Sequence, residues 1–250
     1  MNTNNKTKKV SICIPTYEMH GMASSFLPNN LNVLLGQTFK DFEVVITDNS
    51  EDDVIKNICE NEKYRSLDIK YTKNNKTVKK GISQNTNEAV KKASGELIKI
   101  LYLDDYLASE NSLQDIVDNF KGNWLVTGCG HDEGDGKIIN LHFPTYNDKI
   151  YMGKNTIGSP SVLTIKNEDL IFFDENLTWL LDCDYYRRLY EKYGEPTILN
   201  KINVVIGIGK YQTTNHLNRF IKRTEYKYVK NKYATNQDHK NIISKLFKWW

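Results

Sequence analysis

The sequence predicts an α/β protein on a doubly wound, mostly parallel sheet, with a smaller mixed portion and a C-terminal helical extension. Three observations carry this. Strand-length apolar runs alternate with helix-length stretches from residue 10 to 103. Residues 97–103 are apolar but for Lys99 and Tyr102, as in a strand covered on both faces. Polar groups stand at each strand end, where open α/β sheets bind ligands.

Residues 10–14 form the first expected strand, ended by Pro15, which has no N–H to donate. Residues 26–35 have helical apolar spacing, with Pro28 suited to a first turn. A second strand spans 42–46 and reaches Asp48 through T-D-N-S. A helix over 52–62, a weaker strand over 67–71, and a helix opened by Lys79, Lys80 and Gly81 follow. The fourth strand then runs into Asp104 and Asp105. Adjacent carboxylates are costly to bury unpaired, and a divalent cation would suit them. A solvated acidic turn capping the next helix is the plainer reading. Further strands are expected at 124–127, 138–142, 157–165 and 204–208, and a helix from about Asp182, whose first turn favours carboxylates.

The composition is that of a globular chain: 39% hydrophobic and 26% charged over 250 residues. No apolar run approaches the roughly 20 residues that span a bilayer, and the N-terminus lacks a secretory pattern. Four scattered cysteines without C-x-x-C argue against a disulfide framework or zinc site and for a cytoplasmic setting. From residue 216 onward nine Lys or Arg face Glu225 and Asp238, a net of +7, leaving −4 on the rest. We therefore expect a body over 1–215 and a basic amphipathic extension over 216–250. The extension suits either an anionic membrane face or packing on the body. An acidic body without a recognition motif speaks against nucleic acid.

Four motifs in order, S-I-C-I-P-T-Y-E, F-E-V-V-I-T-D-N-S, the stretch from G-I-S-Q-N-T-N-E to L-Y-L-D-D-Y-L, and W-L-L-D-C-D-Y-Y-R-R-L, resemble the family 2 glycosyltransferases of GT-A fold. The resemblance covers roughly residues 10–189. It implies an inverting transfer from a nucleotide-sugar donor to a glycan or lipid-linked acceptor, assisted by Mn²⁺ or Mg²⁺. It places Pro15, Thr16, Tyr17 and Glu18 at the nucleotide, Tyr17 against the base, and Asp48 hydrogen-bonded to the base. A carboxylate accepts the imide N–H of uracil, which favours a UDP-sugar. It places Asn87 on the helix of the third motif, Asp105 first and Asp104 second as metal ligands with Asp104 also near the nucleotide, and Asp182 as general base. Here Tyr102, Leu181, Glu18 and Thr86 stand where the family often has Asp, Glu, Asn and Arg, leaving Lys79 or Lys80 for phosphate.

Glycosyl transfer needs its leaving diphosphate neutralised and the acceptor hydroxyl deprotonated. Asp182 is the expected base and Asp184 its rival; either would also serve as a helix cap. His216 is a further expected metal ligand. Two alternatives stay open. A sugar-nucleotidyltransferase would carry a Gly-rich loop where P-T-Y-E stands. A non-catalytic nucleotide- or glycan-binding relative would account for Tyr102 and Leu181.

Overall fold

The structure, a computed structural model, describes residues 8–74 and 81–234. β1 (Val10–Thr16), α1 (Ala23–Leu35), β2 (Phe42–Asp48), α2 (Val54–Cys59), β3 (Ile69–Lys73), α3 (Ile82–Lys92) and β4 (Leu97–Ile100) alternate as expected. Then come β5 (Tyr106–Leu107), α4 (Ser112–Asn119), β6 (Trp124–Asp132), β7 (Ile139–His142), β8 (Leu163–Lys166), α5 (Leu181–Tyr193), β9 (Thr197–Gly207), α6 (Thr213–His216) and α7 (Arg219–Lys232).

The strands form one sheet in the order β3-β2-β1-β4-β8-β6-β9-β5, with β7 added on β6. The stretch β3-β2-β1-β4 is parallel. β8 runs antiparallel to both β4 and β6, β6 runs parallel to β9, and β5 antiparallel to β9. A doubly wound half thus joins a mixed half. Strand order steps one way from β1 to β3, then reverses to place β4 on the other side of β1. Right-handed crossovers put α1 and α2 on one face and α3 on the other, and α1 does pack on α2. The reversal opens a crevice at the carboxyl ends of β1 and β4. Beneath it Ile12, Ile14, Val44, Ile46, Ile98 and Ile100 are fully buried. That explains why these strands read as continuous apolar runs.

Pro15 lies inside β1 rather than ending it. The Cys13 carbonyl accepts from Leu101 and the Thr16 carbonyl from Asn49. Alternation therefore points the Pro15 nitrogen toward β4, beyond the last pair, Cys13 with Ile100. α1 starts three residues before the expected Phe26, so Pro28 falls in its second turn. The four cysteines are free. Among the described residues no helix is long and apolar enough to cross a membrane.

Candidate functional site

A cleft of about 630 Å³ opens at the crevice. Pro15, Tyr17 and Glu18 enter it from the end of β1, Asp104 and Asp105 from the end of β4, and Leu181 and Asp182 from the start of α5. Gln212, Thr213 and Thr214 line it from the segment after β9. Met19 and His20, beside the wall, hold left-handed backbone with φ of 52° and 55°, a conformation uncommon for such residues outside functional turns.

The adjacent carboxylates have different surroundings. Asp105 is buried; its Oδ2 accepts from the Ser159 hydroxyl at 3.0 Å and its Oδ1 from the Gly207 N–H at 3.1 Å. A side chain at Gly207 would run into the Asp104 carbonyl, so glycine lets β9 approach. Burial pushes the Asp105 carboxyl up to about 6, against the hydrogen bonds and the nearby Lys99 ammonium that hold it down. Lys99 is itself fully buried, donating to the Ser161 and Leu163 carbonyls; burial brings it down to about 7. The Asp104 side chain is half-buried, and its own backbone N–H reaches its carboxylate. Burial, then the Asp105 charge, raises its pKa.

Asp182 stands in the first turn of α5. Its Oδ2 accepts from the Asn155 amide and its Oδ1 from the Cys183 N–H, both at 2.7 Å. Burial raises its carboxyl above the usual range despite these bonds.

Residues 11–165 match Glycosyl transferase family 2. The chain belongs to this family. It is also 31% identical over 101 residues, 40% of its length, to the GalNAc(5)-diNAcBac-PP-undecaprenol beta-1,3-glucosyltransferase of Campylobacter jejuni, and spans 31% of that relative. Among solved structures, S. aureus TarS 1-349 in complex with UDP-GlcNAc aligns with a TM-score of 0.66 at 20% identity, covering 87% of this chain and 65% of TarS 1-349. The mannosyltransferase PcManGT of Pyrobaculum calidifontis, in complex with GDP-Man and Mn2+, aligns at 0.61 and 16% identity, over 88% of this chain and 62% of its own. These neighbours share the GT-A fold.

Of the residues the family 2 resemblance singles out, the cleft brings together Pro15, Tyr17, Glu18, Asp104, Asp105 and Asp182. Others lie elsewhere. Asp48 is fully buried, accepting from the Ser50 N–H and the Tyr71 hydroxyl, each at 2.8 Å. It holds the turn that carries Asn49 and Glu51 into the cleft wall. Thr16 is buried with its hydroxyl on the Thr47 carbonyl. Asn87 faces away, clamping the Phe173 backbone N–H and carbonyl at 2.8 and 3.0 Å. Asp184 is fully buried, accepting from Arg188, Lys232 and Tyr233 at 2.7–2.8 Å. His216 is exposed, its ring centroid 5.4 Å from that of His20, and is not part of the wall. Lys80 lies outside the described residues.

Sequence reasoning missed an amide chain on the wall. Asn74 donates to Asn49 at 2.9 Å and to Asn85 at 2.8 Å, and Asn85 donates to the Thr16 carbonyl at 2.8 Å. Asn49 and Asn85 line the cleft beside Ile82. The signal was present: Ile82 and Asn85 share a helix face at i, i+3. Asn87 lies about 200° further round.

Asp104 and Asp105 on this wall offer the hard carboxylate oxygens that a divalent cation takes. Asp105, the expected first ligand, lines the same wall while accepting from Ser159 and Gly207. Among the described residues no three His, Cys, Asp or Glu side chains cluster as a metal cage. Hard cations on nucleotides draw most of their oxygen ligands from phosphate and water.

Proposed function

We propose that this chain transfers a sugar, with inversion, from a nucleotide diphosphate donor to a glycan or lipid-linked acceptor. The supporting observation is the placement of Asp104 and Asp182 in one cleft at the strand-order reversal of a family 2 chain. A UDP-sugar is the favoured donor, in line with the UDP-GlcNAc bound to TarS. The undecaprenol-linked acceptor in the glucosyltransferase's name supports a lipid-linked one.

In this reading Tyr17, Asn49 and Asn85 hold the nucleoside, and Glu18 and Gln212 border it. Asp182 takes the proton of the acceptor hydroxyl as that oxygen attacks the anomeric carbon, the diphosphate leaving from the opposite side. Its bonds to Asn155 and Cys183 fix the carboxylate while leaving lone pairs for that proton. When bound at Asp104, Mn²⁺ or Mg²⁺ would neutralise the leaving diphosphate as a Lewis acid. The exposed Arg223, Lys227 and Lys230 of α7 support contact of this helix with the cytoplasmic face of an anionic membrane; residues 235–250 of the expected extension lie outside the described residues.

UDP titration with and without Mn²⁺, followed by UDP-sugar turnover by wild type and Asp182→Asn, tests the proposal. Mn²⁺-dependent UDP binding with turnover lost in the variant is expected; equal turnover in both overturns it. Tyr102 and Leu181 in the wall favour the second reading, a non-catalytic relative, which predicts UDP binding without donor hydrolysis or transfer.

A further inference from the structure

Glu225 is the single acidic residue of the otherwise basic α7, and it is 6% exposed. Its partners are backbone groups. Oε1 accepts from the Thr178 N–H at 2.9 Å, and Oε2 from the Trp179 and Leu180 N–H groups at 2.8 and 2.9 Å. These are the last three residues before α5, whose N-cap residue Leu180 supplies no capping side chain. Thr178 and Trp179 line the cleft together with Leu181 and Asp182. Lys222, one turn earlier on α7, lies over the Trp179 ring at 5.9 Å. One carboxylate of the C-terminal helix thus gathers the N–H groups of the turn that delivers Asp182.

We propose that Glu225 is a positioning residue for the transfer reaction: it fixes the turn 178–180 and thereby the cleft wall bearing Trp179 and Asp182. This rests on the transferase reading above. A buried carboxylate on three N–H donors is a charge-assisted arrangement of high directional strength. Without it the three donors would need water or a shifted backbone. Displacement of a reacting group by about 1 Å costs roughly 10²-fold in rate. α7 is then part of the catalytic apparatus although it contributes no group to the cleft.

The test compares Glu225→Ala and Glu225→Gln with Lys232→Met, which loosens α7 at its other end, where Lys232 meets Asp174 and Asp184. Hydrogen exchange reads the amides of residues 178–180, and UDP-sugar turnover reads kcat and KM. In Glu225→Ala those amides should exchange at least about tenfold faster. Its kcat should fall about 10²-fold with donor KM within about threefold. Glu225→Gln, which keeps one acceptor, should fall between. Lys232→Met should lower Tm yet leave kcat and the three amides near wild type. Unchanged exchange in Glu225→Ala overturns the proposal. So does unchanged kcat, or an equal kcat loss in Lys232→Met. Absence of turnover in wild type would sink the transferase reading instead, and the exchange comparison would still judge whether Glu225 fixes the turn.

Discussion

Two acidic pairs, Asp104–Asp105 and Asp182–Asp184, look alike in the sequence and divide in the same way in the structure. In each, one carboxylate is half-buried on the cleft wall and its neighbour is buried and tied into the scaffold. Asp105 ties β4 to Ser159 and Gly207; Asp184 ties α5 to Arg188, Lys232 and Tyr233. The cause is backbone geometry. Asp104 and Asp105 follow one another through a turn closed by the Asp105 N–H on the Tyr102 carbonyl, and helical residues two apart differ by about 200°. A pair of acids at a predicted strand end or helix start is therefore better read as one cleft group plus one anchor than as two interchangeable candidates.

The α5 pair should separate most sharply. Asp182→Asn is expected to lower kcat by about 10²- to 10⁴-fold with little change in Tm. Asp184→Asn should keep turnover per folded molecule but lose about 2–4 kcal/mol in urea unfolding. It takes the carboxylate from Arg188 and leaves Lys232 only Asp174, and their partial exposure keeps the loss toward the low end for a broken buried pair. An active Asp182→Asn or a stable, inactive Asp184→Asn would reverse the assignment.

The strand-end pair should differ by less. Asp104→Asn is expected to abolish the gain in UDP affinity that Mn²⁺ gives, read by calorimetry. Asp105→Asn should weaken it about tenfold, as for a group tied into the scaffold beside a metal ligand. The helix α3 offers a third version of the same split. Asn85→Ala should raise donor KM, because Asn85 lines the cleft. Asn87→Ala should cost about 1–2 kcal/mol of stability with KM unchanged, since it leaves the Phe173 backbone unsatisfied.

The sheet's first half was legible because β1, β2 and β4 are buried along their whole length, and burial writes itself as runs rich in Val and Ile. The carboxyl-end rule then pointed to Tyr17 and the Asp104–Asp105 pair, and the family resemblance to Asp182, without any knowledge of packing. Distant partners were not legible. Nothing near Asp48 announces that the Tyr71 hydroxyl, 23 residues on, occupies it. Nothing in the local sequence of α7 marks Glu225 as the clasp of a turn 45–47 residues away. His216 misled because a histidine after the last strand carries no information on its direction, and here it turns to His20.

The smallest effect concerns protons. The Asp105 carboxyl, ordinarily near 4, is raised to about 6 mainly by burial, and Asp104 is raised beside it. The folded protein thus holds this proton more tightly than the unfolded chain. The stability it contributes is full below about pH 4 and lost as pH rises through about 6. A cation on Asp104 favours the ionised forms of both carboxylates and offsets that loss. With UDP present, the Tm gain from Mn²⁺ should therefore be a few degrees larger at pH 7.5 than at pH 5, by thermal unfolding. In Asp104→Asn the gain should vanish at both. A gain that is flat across this range, or that survives Asp104→Asn, would place the cation away from the strand-end pair and break the parallel between it and the pair on α5.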